Sequence, residues 1–284
     1  MLIRYLVANM LKSQAQEAVR SKVEQAVTDQ ARNIAEMKQG REMPACELAM
    51  VFANSLEASG VVDQIEGVIS TQCASFVEHA GRWHGMDIIV IEAGDTWRQV
   101  ARAVTDLINM HHPSWVISAG FASSLSKRVR KGMIVMPNVI RDVKGRELQV
   151  GFQLGEAKPQ AGLLTGDLVS TPEVLTTPAK RKELASQFKT EVADMESAVV
   201  AEICRQARQR CMAIRIVAED FDDQPPELMR RIMKQGSFAA KFGAFSKGLF
   251  TQASQLKEMW DLKNEAYKSS ERLAGFLAGV VRQL

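Results

Sequence analysis

The stretch MDIIVIEAGDTWRQVARAVTDLINMHHPSWVISAG, residues 86–120, decides the fold. It opens with a short apolar run (Met86–Ala93), continues through a segment with apolar residues at helical spacing (Trp97–Met110), and closes with a second apolar run (Trp115–Ala119). Short apolar runs bounded by turn residues read as buried strands, and the amphipathic stretch between them is long enough to be a helix covering a sheet. Strand, helix, strand in this rhythm predicts an α/β sheet with covering helices. The rhythm extends outward in both directions. Leu48–Ala53 reads as a strand before it, Met133–Val139 and Gly162–Val169 as two strands after it, Glu196–Arg208 as a helix and Ala213–Ala218 as a late buried strand. A helix from about Gln255 to Leu284 closes the chain.

Residues 1–41 have no glycine before Gly40 and are rich in Ala, Gln, Glu, Lys and Arg, so they predict one or two helices ahead of the sheet. Pro44 marks the change, giving an expected N-terminal helical extension at 1–43 and a single domain at 44–284. Within that domain, 224–254 reads as a helical insertion, with Phe238, Phe242, Phe245 and Leu249 on one face as core packing, a subunit contact, a lid over the pocket or a lipid-facing surface. The apolar patch Leu2, Ile3, Tyr5, Leu6, Val7, Met10, Leu11 is broken by Arg4 and Lys12 and is followed by no small-residue cleavage site. It reads as an amphipathic helix docked on the protein or on another subunit, or else as a membrane-surface anchor, and as neither a secretory signal nor a membrane span.

With 284 residues, 46% of them apolar and 24% charged, the chain can bury one large core. A formal net charge of +3, with acids and bases interspersed, leaves no footprint for nucleic acid. Cys46, Cys73, Cys204 and Cys211 lack C-x-x-C spacing, and His79, His84, His111 and His112 fall into no metal pattern with them. Reduced thiols, no structural metal, no cofactor and a cytoplasmic setting are the expectation.

VADMESAVVAE at 192–202 places two carboxylates, Asp194 and Glu196, around Met195 where an apolar run turns into a helix. Carboxylates at a helix start can accept hydrogen bonds from ligand hydroxyls such as those of ribose, or can simply cap the helix. Ligands of open α/β sheets bind beyond the carboxyl ends of strands, so the turns after the strands count most. Ala93-Gly94-Asp95-Thr96 follows one strand and Ser118-Ala119-Gly120-Phe121-Ala122-Ser123-Ser124 another; both could admit a ligand or be ordinary small-residue turns. Glu219-Asp220-Phe221-Asp222-Asp223 sets four carboxylates after the late strand. That is a solvated loop, or a place where Glu219 or Asp220 is desolvated enough for general acid work.

ISAGFASSLSKRVRKGMIVMPNVI (117–140), VADMESAVVAEIC (192–204) and IRIVAEDFDD (214–223) resemble, in order and spacing, three motifs of the nucleoside phosphorylase and nucleosidase superfamily. In pattern they are nearest to methylthioadenosine/S-adenosylhomocysteine nucleosidases. The resemblance implies a mixed central β-sheet flanked by helices and cleavage of the N-glycosidic bond between ribose and a purine. It makes Glu219, with Asp220 as the alternative, the acid that protonates the base. Glu196 becomes the carboxylate that holds the ribose hydroxyls and Met195 the methionine beneath the sugar, while Asp194 stands where the family often has glutamate. Gly94, Ser118, Gly120 and Val169 shape the pocket.

The chain also departs from that pattern. Ser118 stands where phosphorolytic members carry a phosphate-binding arginine, so water is favoured over phosphate as the nucleophile. Val169 replaces an aromatic that would stack on the base, and Glu219 replaces an aspartate. The water-orienting carboxylate expected after the first strand is absent from Ala53-Asn54-Ser55-Leu56; Glu57 comes about two residues late. Either a local shift brings Glu57 in, or the protein binds a nucleoside-like ligand without efficient turnover. The expected partner is a small nucleoside-like molecule, with phosphate left open, and the family implies a homo-oligomer.

Overall fold

The computed structural model describes residues 46–150, 162–224 and 253–284. The expected helical extension at 1–43 and the phenylalanine stripe of the 224–254 segment lie outside the described residues. Ten strands form one mixed sheet. In chain order the elements are β1 (Leu48–Phe52), α1 (Ser55–Val62), β2 (Glu66–Gln72), β3 (Val77–Trp83), β4 (Met86–Glu92), α2 (Trp97–His111), β5 (Trp115–Ser124), β6 (Ile134–Asp142), β7 (Glu147–Gln149), β8 (Leu163–Ser170), α3 (Pro178–Phe188), β9 (Val192–Asp194), α4 (Ser197–Gln206), β10 (Cys211–Glu219) and α5 (Ala253–Val281).

The strand order is β10-β6-β8-β9-β5-β1-β4-β3-β2, and β10 also pairs with β5. Five strands therefore close into a ring, from which β1, β4, β3 and β2 extend as an open wing. This differs from the open sheet assumed in reading the strand-end turns. The difference lies in strands longer than their apolar runs: β5 continues to Ser124 and β10 starts at Cys211, which lets them pair along most of their length.

Alternation along the parallel strands buries both faces. Leu48, Met50, Phe52, Ile88 and Val90 pack with Ala58 and Val61 of α1 and Leu273, Leu277 and Val281 of α5. Ala49, Val51, Ile89 and Ile91 pack on the other face against Val100, Val104 and Leu107 of α2 and Val200 and Cys204 of α4. A third cluster, including Ala122, Val135, Leu168, Val192, Ala198 and Val217, joins the ring strands to α4.

Three local devices set the helices that matter for the site. Asn54 caps α1, its Oδ1 accepting the N–H groups of Leu56 (3.1 Å) and Glu57 (3.2 Å). Thr96 caps α2 in the same way, and Thr177 followed by Pro178 starts α3. The closing helix α5 crosses α1 at contact distance. Ser270 Oγ donates to the Glu57 carbonyl (2.9 Å) and accepts the Gly60 N–H (2.7 Å), and any side chain at Gly60 would overlap the Ser270 backbone.

Candidate active site

The helix start at Ser55 answers the spacing problem of Glu57. Because α1 begins directly after β1, its first turn carries Glu57 back over the strand end, and a Cβ on Gly120 would overlap Glu57 Oε2. A glutamate at the third helical position commonly reaches back to its own cap; here the carboxylate instead takes backbone N–H groups of Ala53 and Phe121. Glycine at 120 is what makes room for it.

The second carboxylate arrives from the other side. β9 runs antiparallel to β5, with Ser123 opposite Ala193, so the chain leaving β9 travels back alongside Ala122 toward Gly120. Asp194, at the end of β9, is buried and fully occupied. It accepts Ser197 N–H (3.1 Å), Ser197 Oγ–H (2.5 Å), the Ser170 hydroxyl and Arg215 Nε–H (2.7 Å). It therefore caps α4 and neutralises a buried arginine, which leaves Glu196 as the free carboxylate of the motif. Arg215 completes its fork on Ser118, donating from Nη1 to the carbonyl (2.6 Å) and from Nη2 to Oγ (2.7 Å).

Glu57 and Glu196 each keep a little accessible surface while protein surrounds them on most sides, as side chains lining a recess do. Burial pushes the Glu57 carboxyl up to about 7, and nearby Asp194 adds to the rise, although Arg215 and the two backbone amides favour its ionised form. Burial also raises Glu196 well above the usual carboxylate range, reinforced by Glu57 and Asp194 and opposed by Arg215 and the Met195 amide. With Asp194 committed to Arg215, the negative charge of Glu57 disfavours ionisation of Glu196.

Further along β5, the strand end on β10 holds Glu219. The β10–β5 ladder is regular from Cys211 to Val217, then shifts, so that Glu219 stands opposite Ser123. Glu219 Oε2 accepts Ser123 Oγ–H (2.7 Å) and Arg181 Nη2–H (2.8 Å). Asp220 is turned to the neighbouring loop, where it accepts the Lys131 N–H (2.7 Å).

Of the remaining positions chosen from sequence, Gly120 lies against Glu57, and Ser118 is buried and bound to Arg215. The Met195 carbonyl accepts Trp97 Nε1–H (2.5 Å), which ties the turn containing Gly94 to the start of α4. Val169 is fully enclosed with Leu125, Leu175 and Ala193 under α3, so it belongs to the core. Among the described residues no three His, Cys, Asp or Glu side chains gather as metal ligands, and no helix is long and apolar enough to cross a membrane.

No protein-family model matches the chain. A 5′-methylthioadenosine/S-adenosylhomocysteine nucleosidase of Shewanella halifaxensis is 25% identical over 224 residues, covering 68% of this chain and 95% of the relative. The enzyme of the same name from Staphylococcus saprophyticus is 21% identical over 216 residues, with the same coverage of both chains. The chain is a divergent member of the nucleoside phosphorylase and nucleosidase superfamily. Solved structures share the superfamily fold. The Helicobacter pylori methylthioadenosine/S-adenosylhomocysteine nucleosidase crystallised with butyl-thio-DADMe-Immucillin-A superimposes with a TM-score of 0.63 at 16% identity, covering 85% of this chain and 100% of that one. Futalosine hydrolase from the same organism gives 0.63 at 17% identity, covering 84% and 99%.

Three residues of this superfamily member carried no assigned role in the sequence reading. Arg215 had a usable signal, since a charge within the apolar run of β10 has to be paired when buried. Trp97 had none, as an indole at a helix start is common. Arg181 was hidden among Lys180, Lys182 and Glu183 on a helix that reads as solvated.

Proposed function

We propose that the Glu57–Glu196 recess hydrolyses the N-glycosidic bond of a purine nucleoside or a related nucleoside-like substrate. The observation that carries this is the convergence of two desolvated carboxylates beside Arg215 and Gly120 from elements distant in sequence. Two carboxyl groups desolvated side by side, one of them poised to ionise near neutral pH, suit water activation next to a polyol. Glu57, which has two amide donors and a titration near neutrality, is assigned to the attacking water. The oxygen of the water joins C1′ as the C1′–N bond breaks; one water proton passes to Glu57, and the departing base takes a proton from solvent water.

Glu196 is assigned to the ribose hydroxyls, with Met195 beneath the sugar and Ser118, Gly120 and Gly94 shaping the recess. Glu219 is assigned to the base end, with Asp220 the weaker candidate because its carboxylate serves Lys131. Water is preferred to phosphate as the second reactant. Each nitrogen of Arg215 is already engaged, with Asp194, Ser118 or Ile214, and the side chain is buried, so it offers little to an incoming anion. A cytoplasmic homo-oligomer is part of the same proposal, to be checked by light scattering.

The test is release of free base from methylthioadenosine, S-adenosylhomocysteine, inosine and uridine, with and without phosphate. Hydrolysis without phosphate that is lost in Glu196→Ala supports the reading. The alternative, a ligand-binding protein without turnover, draws on the commitment of Glu219 to Arg181. Thermal stabilisation by these nucleosides with no base released would decide for it.

A further inference from the structure

Arg181 is fully buried, while its helix neighbours Lys180 and Lys182 are exposed. Enclosing a guanidinium is unfavourable unless it is paired and hydrogen-bonded, so the partners of Arg181 tell what it is there for. All of them lie in the five residues after Ala218. Nη2 donates to Glu219 Oε2 (2.8 Å), and Nη1 donates to the carbonyls of Phe221 (3.3 Å) and Asp223. Nε has no partner. A cation placed only to steady α3 would not leave a buried donor unmet while gripping a loop some forty residues away.

Glu219 is anchored asymmetrically. Its Oε2 takes both Arg181 and the Ser123 hydroxyl, whereas Oε1 takes no hydrogen bond from the described residues, and the side chain is 43% exposed against 0% for Arg181. The pair is thus held from within and presents one oxygen outward. Across β5 the anchor is continuous with the recess, since Ser123 pairs with Ala193 on its other side, next to Asp194.

We infer that Arg181 is a positioning residue for the base end of the site, fixing Glu219 as an anion whose Oε1 accepts a hydrogen bond from an N–H of the bound base. This rests on the nucleosidase reading above. It narrows the ligand to bases with an N–H at that edge. An ionised Glu219 accepts rather than donates, so the N–H is one that the base already carries or gains from water as the C1′–N bond breaks. The other charges of the loop and its surroundings are Asp220, Asp222 paired with Lys127 (3.3 Å), and Asp223 paired with Lys131 (3.6 Å).

The experiment compares the full-length wild type with Arg181→Met, Arg181→Lys and Glu219→Gln. It measures kcat and KM for methylthioadenosine, together with the rate of chymotryptic cleavage after Phe221. Arg181→Met is expected to lower kcat by about tenfold or more through misplacement of Glu219 and to speed the cleavage. Arg181→Lys, which restores charge without the fork, should return part of kcat and part of the resistance to cleavage. Glu219→Gln should lower kcat about as far as Arg181→Met does, and the double variant no further. Unchanged kcat in Arg181→Met, or a loss that adds in full to that of Glu219→Gln, overturns the inference. If Arg181→Met does not fold, Arg181→Lys and Glu219→Gln decide, and full kcat in Glu219→Gln overturns it. If the wild type releases no base, the nucleosidase reading fails and calorimetric binding of adenine decides instead. Weakening of about tenfold or more in Arg181→Met sustains the inference; equal binding, or none by wild type, overturns it.

Discussion

Replacing Glu57 with Gln should make the protein more stable above neutral pH and no more stable in mild acid. The folded state holds the Glu57 proton to about pH 7, while the unfolded chain releases it near its ordinary 4.5. Between those values the folded state binds more protons, so stability declines as pH rises and the full cost is present above about pH 7. At about 1.4 kcal/mol per pH unit, this amounts to about 3 kcal/mol. Glutamine keeps an oxygen for the Ala53 and Phe121 amides but carries no charge to desolvate. Urea denaturation at pH 5 and pH 8 should therefore give matching stabilities at the lower pH and a gain for Glu57→Gln at the higher, with m-values unchanged. Base release should be lost in the same variant, a stability gain at the expense of activity. A difference between variant and wild type that is the same at both pH values would refute the desolvation account of Glu57.

Gly120→Ala should disable base release while leaving a folded protein, because the new methyl overlaps Glu57 Oε2; a steady-state assay with methylthioadenosine checks it, with an expected loss of about a hundredfold. Arg215→Met should destabilise by about 3–5 kcal/mol, since Asp194 would be left as an uncompensated buried charge. The double variant Arg215→Met/Asp194→Leu should recover much of that loss in urea melts. Gly60→Ala should cost about 1–3 kcal/mol by forcing α1 and α5 apart, and calorimetry should detect it as a lowered Tm.

The α/β order and the buried strands were legible because strand periodicity and apolar runs are local properties. The hairpin of β2 and β3 was not, since β2 is largely exposed along its length and presents no apolar run. Nor was the short β9, whose three residues read as the lead-in to a helix. Ring closure depends on how far β5 and β10 extend through small and polar residues, and composition does not mark that. At the site, the sequence named Glu57, Glu196 and Asp194 but could not divide their labour. Only the fold reveals that Asp194 is consumed by Arg215 and the cap of α4, leaving the acid pair to Glu57 and Glu196. The displacement of Glu57 along the chain is explained by the start of α1, set by Asn54. Val169, placed at the pocket by the family resemblance, has its side chain buried with Leu125, Leu175 and Ala193, which the resemblance alone does not reveal.

The ladder shift before Glu219 bears on how this chain tolerates gained and lost residues. In an unbroken ladder Ala218 would face Ser123, and Glu219 would fall one rung on, beside Ser124, whose hydroxyl is spent on the carbonyls of Ser126 and Val129. Excising Ala218 would keep the acid opposite its hydroxyl partner on a straightened strand. Adding a residue there would carry it out of reach, so deletion and insertion at this point are not equivalent events for the protein's descendants.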